Sequence, residues 1–354
     1  MVVRSGVTKR VMSGRAALAV ALVVAVAGCS SNGGNGGTAP GDGGDKPFEG
    51  EAIDFVVPFD PGGGYDVYTR TIAPYLEECL GARVTVLNEP GAGSLLATNQ
   101  TAVAEPDGTR IQITNTPGML GSQLAGAEGV SFDANEFSWI GRVSSPVDVV
   151  LANPSSDLTS FEDITGSSDS IQFVATGPGS SDYVAAAVLG EAYEIPNEIA
   201  TGFAGSQEAT NAVVTGDADV HIMPYDTVLP VIDAGDASPV VLLADEVPEY
   251  MPEAPLIADF MPESEAGQEL VTSLMTLTAS GRAVTAPPGV PEDRLTALRD
   301  GFTCAMEDDE LLAELDSQQR PVSFLSGEEM QELVGEVLDP TPEFQGVLEE
   351  AFAG

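Results

Sequence analysis

The chain has 354 residues, 13 of them Lys or Arg against 55 Asp or Glu, for a net charge of −42. That balance excludes nucleic acid as a partner, because phosphate contacts need clustered cations. A hydrophobic content of 43% excludes a disordered acidic polymer and leaves a folded chain with a solvated acidic surface, of the kind salt adaptation also produces.

Arg4, Lys9, Arg10 and Arg15 precede an apolar run at 16–27. The run is too short for a permanent membrane span and suits a secretory signal. Ala27, Gly28 and Cys29 have the pattern of a bacterial lipobox. Residues 1–28 are therefore expected to be removed, leaving Cys29 as a lipid anchor on the outer side of the cell membrane. The alternative is a plain signal with an incidental Cys. Removal takes four basic residues and no acidic one, leaving nine against 55, or −46. Residues 29–47 are a Gly/Ser/Asn tether too poor in apolar side chains to fold. The remaining 300 or so residues suggest two domains.

Strands and helices then alternate. The spacing predicts a strand at 53–59, a helix at 66–80 kinked at Pro74, a strand at 84–87, a helix at 95–104 and a strand at 110–114. Strands at 139–143 and 147–151 follow. The pattern restarts with a strand at 171–175, a helix at 183–192, a strand at 199–203, a helix at 209–215, a strand at 220–223, a helix at 227–234 and a strand at 240–243. Strands at 274–278 and 282–285 precede helices at 291–306 and 308–316, a strand at 321–324 and helices at 326–338 and 342–352. Two β/α runs of this kind predict an α/β protein of two lobes, 48–148 plus 276–354 and 149–275. The chain is expected to cross between them near 147–151 and 274–278. Ligands of open α/β sheets bind beyond the carboxyl ends of strands, which here means the cleft between lobes.

Four strand-to-helix turns share a composition: "PGGGYD" at 61–66, "PGAGS" at 90–94, "GPGSSD" at 177–182 and "AGSQE" at 204–208. Glycine lets backbone approach a ligand, and a helix start offers unpaired N–H groups with partial positive charge. A chain with almost no lysine can hold an anion this way; ordinary helix caps and tight turns are the plainer reading. Nucleotide motifs fail, since neither GxGxxG nor Gly-Lys-Ser/Thr is present. His221 is the only histidine. There is no GxSxG elbow and no His/Cys cluster with metal-ligand spacing, so neither catalysis, metal nor cofactor is expected. With Cys29 lipidated, Cys79 and Cys304 remain as a disulfide candidate in an oxidising compartment, or as two buried free thiols.

The segment "VVPFDPGGGYDVYTRTIAPYLEECLGARVTVLNEPGAGS", followed by "EPDGTRIQI", resembles the opening of the tripartite tricarboxylate transporter receptors, the Bug or TctC-type extracytoplasmic solute-binding proteins. Weaker matches continue through "GPGSSDY", "GSQEATNAVVTGDADV" and "APPGVPEDRLTALRDGF". The resemblance implies a periplasmic-binding-protein-like, Venus-flytrap fold of type II character with two strand crossovers, closing on a small carboxylate. That solute would be a di- or tricarboxylate, an aromatic acid or an amino acid, delivered to a large and a small membrane subunit. Implied contacts are Gly62, Gly63, Gly64, Tyr65 and Asp66, the last through backbone N–H rather than its carboxylate, with Thr116 behind them. The second lobe would add Thr176, Gly179, Ser180 and Ser181, then Phe203, Ala204, Gly205 and Ser206. Met223 stands where the family has a polar cleft residue, so a more apolar distal pocket is expected, with Tyr65, Phe203 and Tyr225 as walls. Two alternatives keep the fold: a sensor partner of a membrane signalling protein, or a phosphonate or sulfonate ligand.

Overall fold

The computed structural model describes residues 47–247 and 254–353. The expected signal, the anchor at Cys29 and most of the tether lie outside the described residues. In chain order the elements are β1 (Ala52–Val57), α1 (Gly64–Leu80), β2 (Arg83–Asn88), α2 (Leu95–Ala102), β3 (Arg110–Asn115), α3 (Thr116–Leu124) and β4 (Ser138–Ser144). Next come β5 (Asp148–Ala152), α4 (Phe161–Thr165), β6 (Ile171–Val174), α5 (Ser181–Ala192), β7 (Asn197–Ala200), α6 (Ser206–Thr215), β8 (Val220–Pro224), α7 (Tyr225–Asp233) and β9 (Ser238–Leu242). The chain closes with α8 (Glu265–Thr278), β10 (Arg282–Ala286), α9 (Glu292–Met306), α10 (Asp309–Ser317), β11 (Leu325–Ser326), α11 (Gly327–Val337) and α12 (Pro342–Phe352).

These strands form two sheets, ordered β11-β4-β10-β3-β1-β2 and β7-β6-β8-β5-β9. Each has a parallel half: β1 lies between β2 and β3, with Phe55 opposite both Val86 and Ile111, and β6 lies between β7 and β8. Each also holds one antiparallel strand that arrives from the other lobe, β10 in the first sheet and β5 in the second. The β1 sequence "AIDFVV" explains its central place. Ile53, Phe55, Val56 and Val57 are all buried, as a parallel strand covered on both faces requires.

Two local features explain how α1 is placed. It starts after Gly63 in extended backbone and ends at Gly81, whose φ of 67° is left-handed. The helix continues through Pro74 as a single 17-residue element. Cys79 of α1 is bonded to Cys304 of α9 across a separation of 225 residues, so of the two readings of those cysteines the disulfide holds.

The expected strand at 274–278 is instead the last turn of α8. Its β-branched and apolar residues suggest a strand in isolation. However, Leu270, Val271, Leu274 and Leu277 recur at helical spacing, and all are buried against α3 and α5 in one core. The second crossing therefore falls at 279–281, beside the first at 145–147. There the Ser145 hydroxyl and the Arg142 guanidinium both donate to the Ala279 carbonyl. Gly281, with φ at 64°, packs so closely that a Cβ would run into the Ser144 carbonyl. The expected strand at 321–324 is likewise displaced, to the two residues of β11.

Candidate solute-binding cleft

Four helices, α1, α5, α6 and α7, begin at one cavity of about 320 Å3 between the two sheets. None of the four carries a side-chain cap. Of the other helices α2 and α9 also lack one, whereas α3, α4, α8, α10, α11 and α12 are each capped by an Asn, Ser, Asp or Thr side chain. Gly63 and Gly205 are the residues preceding α1 and α6, and neither has a side chain to fold back on its own helix start. The partial positive ends of these helices are thus left facing the cavity.

Of the residues singled out in the sequence, Gly63, Gly64 and Tyr65 line this cavity from the first lobe. Thr176, Ser180, Ser181, Ala204, Gly205, Ser206 and Met223 line it from the second. The others lie elsewhere. Gly62 sits at the mouth, where its carbonyl accepts from Gln207 Nε2 at 2.8 Å. Asp66 is turned away, its carboxylate accepting from the Gly62 N–H, Arg70 Nε and Asn88 Nδ2, each at 2.9 Å. Burial pushes that carboxyl up, but these donors outweigh it and hold it below the usual carboxylate range. Thr116 is fully buried in the first turn of α3. The Gly179 carbonyl accepts from Ser94 Oγ at 3.1 Å, away from the cavity. Tyr225 begins α7 and packs into a core with Val149 and Val228. Phe203 lines a neighbouring groove.

The structure also brings in Phe59 and Asp60 before the first turn, Pro224 and Thr227 at α7, and, from within the quoted turns but not expected as contacts, Pro61, Asp182, Gln207 and Glu208. Among the described residues neither Lys nor Arg lines the cavity, and the charged ones that do are Asp60, Asp182 and Glu208. Two of these carboxylates tie down turns. Asp182 accepts from the Thr176 N–H at 2.9 Å and lies 3.3 Å from His221 Nε2, and Glu208 accepts from the Ala204 N–H at 2.9 Å. His221 is fully buried, its other ring nitrogen 3.0 Å from Thr210 Oγ1.

Beneath the floor lies a second polar layer. The Arg282 guanidinium of β10 is fully buried, paired with both Asp226 oxygens at 3.1 Å and donating to Thr227 Oγ1 at 3.0 Å. It stands 5.1 Å from the ring centres of Tyr65 and Tyr68. A first-lobe strand is thereby pinned to a second-lobe helix directly under Gly64. Asp148 shares this layer. Burial pushes its carboxyl up to about 7, Asp182 and Asp226 add to the rise, and Arg282 pulls against it.

Comparisons with known proteins agree with this architecture. MatC from Rhodopseudomonas palustris, solved with bound malate, superposes with a TM-score of 0.70 at 20% identity, over 84% of this chain and 99% of that one. A second R. palustris protein, solved with adipate, gives 0.70 at 20% identity over 85% and 97%. The periplasmic binding protein BugD gives 0.69 at 21% over 85% and 97%. In sequence, BugT of Bordetella pertussis (strain Tohama I) is 27% identical over 220 residues, 58% of this chain and 65% of BugT. The chain thus spans just under two thirds of that relative. No helix among the described residues is long and apolar enough to cross a membrane. The pattern of the family described as "Tripartite tricarboxylate transporter family receptor" matches residues 68–339, and the chain belongs to that family of solute receptors.

Proposed function

We propose that this protein is a receptor rather than an enzyme, closing its two lobes over a small carboxylate in the cavity between α1, α5 and α6. It is held outside the cell membrane by a lipid at Cys29 and hands its solute to the membrane subunits of a tripartite transporter. The observation that carries this reading is the convergence of uncapped helix starts on a cavity that holds no cationic side chain. An anion there is met by backbone N–H groups and by the hydroxyls of Thr176, Ser181, Ser206 and Thr227. Malate in MatC and adipate in its R. palustris neighbour support a carboxylate as the anion. Contacts from both lobes favour the closed arrangement, which the membrane partner then recognises.

Isothermal titration and thermal shift of the mature protein against carboxylates, sulfonates and phosphonates test the reading. A carboxylate at about 100 times its dissociation constant stabilises by about 2.7 kcal/mol. Gly63→Val is expected to abolish that stabilisation with the fold intact, because even a Cβ on Gly63 would stand 3.1 Å from Ser206 Oγ across the cleft. Undiminished carboxylate affinity in Gly63→Val would remove this turn from the site. A response to sulfonates or phosphonates alone would replace the carboxylate.

A further inference from the structure

We propose that the groove adjoining the cleft is a tail subsite, so that the solute is a monocarboxylate whose uncharged, apolar end leaves the cleft past Phe59. This rests on the carboxylate reading above and narrows it. The groove measures about 340 Å3 and runs between the lobes, with Pro90 to Gly93 on one side and Thr201 to Ala204 on the other. It adjoins the cleft, for Phe59, Thr176 and Ala204 line both. Phe59 is the partition; its ring packs on Tyr65 with centres 4.9 Å apart.

The charge pattern identifies the occupant. Not one residue lining the groove is charged, in a chain with 55 carboxylates. The cleft itself presents Asp60, Asp182 and Glu208 and no Arg or Lys. The helix starts are the cleft's only positive partners, and each further carboxylate shares them while adding repulsion from Asp60, Asp182 and Glu208, so a single carboxylate suits the site best. An alkyl or aryl tail, by contrast, buries apolar area against Phe59, Phe203, Pro90 and Pro178. Because the two lobes contribute opposite walls, a tail there also adds to closure.

Isothermal titration with butanoate, hexanoate, octanoate, phenylpentanoate and adipate tests this on the mature protein. Affinity is expected to rise at least roughly tenfold from butanoate to octanoate, in keeping with apolar burial. Adipate, the matched dicarboxylate, is expected to bind more weakly than hexanoate. Thr201→Asp and Pro178→Asp place a charge in the groove outside the cleft. Each should erase the gain from the tail and keep butanoate affinity within about twofold. Affinity independent of tail length, adipate equal to or tighter than hexanoate, or a tail gain that survives both substitutions would overturn the subsite and leave the receptor reading standing. If no carboxylate binds at all, the receptor reading fails first and this one with it.

Discussion

At the turns around Gly93 and Gly177, backbone meets backbone. A Cβ on Gly93 would lie 2.6 Å from the Ser180 nitrogen, and one on Gly177 would lie 2.7 Å from the Gly93 nitrogen. At the turns around Gly63 and Gly205 the neighbours across the gap are side chains. Ser206 Oγ stands 3.1 Å from a Cβ on Gly63, and the Asp60 Cβ 3.6 Å from one on Gly205. Four segments of like composition thus do two jobs. One pair uses glycine so that the lobes can touch along the main chain, and the other uses it to leave room in a cleft. Composition alone identifies a turn before a helix; what the missing side chain is for depends on what the fold brings opposite.

The sharpest way to break this comparison is to add one methyl group to each pair. Gly93 has φ at 64°, a left-handed conformation that alanine adopts at a cost. Its neighbours are main-chain atoms with nowhere to go. Gly93→Ala is expected to lose about 3–5 kcal/mol in urea unfolding, from backbone strain and overpacking together. Gly205 has extended backbone and no atom within 3.5 Å of a Cβ, so Gly205→Ala should stay within about 1 kcal/mol of the wild type. Equal losses in the two variants would mean that both pairs are packing turns.

A second test concerns what joins the lobes beneath the cleft pair, where polar side chains replace backbone contact. Asp148 has its carboxyl raised to about 7, against about 3.9 in an unfolded chain. Between these values the folded protein binds the extra proton. The contribution to stability is therefore full below about pH 4 and is lost as pH rises through 7. Asp148→Asn keeps the shape and removes the charge. At about 1.4 kcal/mol for each tenfold change in proton affinity, the variant gains up to about 4 kcal/mol over wild type at pH 8 and is level with it near pH 4. Urea midpoints at the two pH values check this. A variant weaker than wild type at pH 8 would show that Arg282 depends on the Asp148 charge as well as on Asp226.

Much of the frame was legible because it is written locally. The largely apolar stretch 53–59 before the glycines marks β1, which ends two residues sooner at Val57, and the start of α1, and the restart of the β/α pattern near 171 marks the second sheet. The place of Met223 at the end of its strand follows from the sequence, and Met223 lines the cavity. Tyr225, read as a wall, is in the core because β8 ends at Pro224 and the chain turns into α7. Long-range placement was not legible. Nothing near Arg282 announces Asp226, 56 residues earlier, as its partner. Nor does "PGAGS" say that its Gly93 will meet the main chain of "GPGSS". The segment 274–278 reads as a strand because a short run of apolar residues and threonines carries no period of its own; the buried face is visible only from Leu270 onward.

The smallest expected effect belongs to Gln207, whose Nε2 donates to the Gly62 carbonyl at 2.8 Å across the mouth of the cleft. Both partners are exposed, so the bond contributes about 0.5–1.5 kcal/mol at most. It can form only with the lobes together. If the empty protein is mostly open, Gln207→Ala leaves unliganded stability unchanged and weakens solute affinity by about two- to tenfold, with faster release. If the empty protein already rests closed, the same substitution lowers stability with and without solute and hardly touches affinity. Melting curves and titrations on one variant therefore separate the two cases. The first outcome makes the cleft turns a closing surface, unlike the turns at Gly93 and Gly177. The second makes them a further packed contact, and the difference between the pairs would shrink to the room left around the ligand.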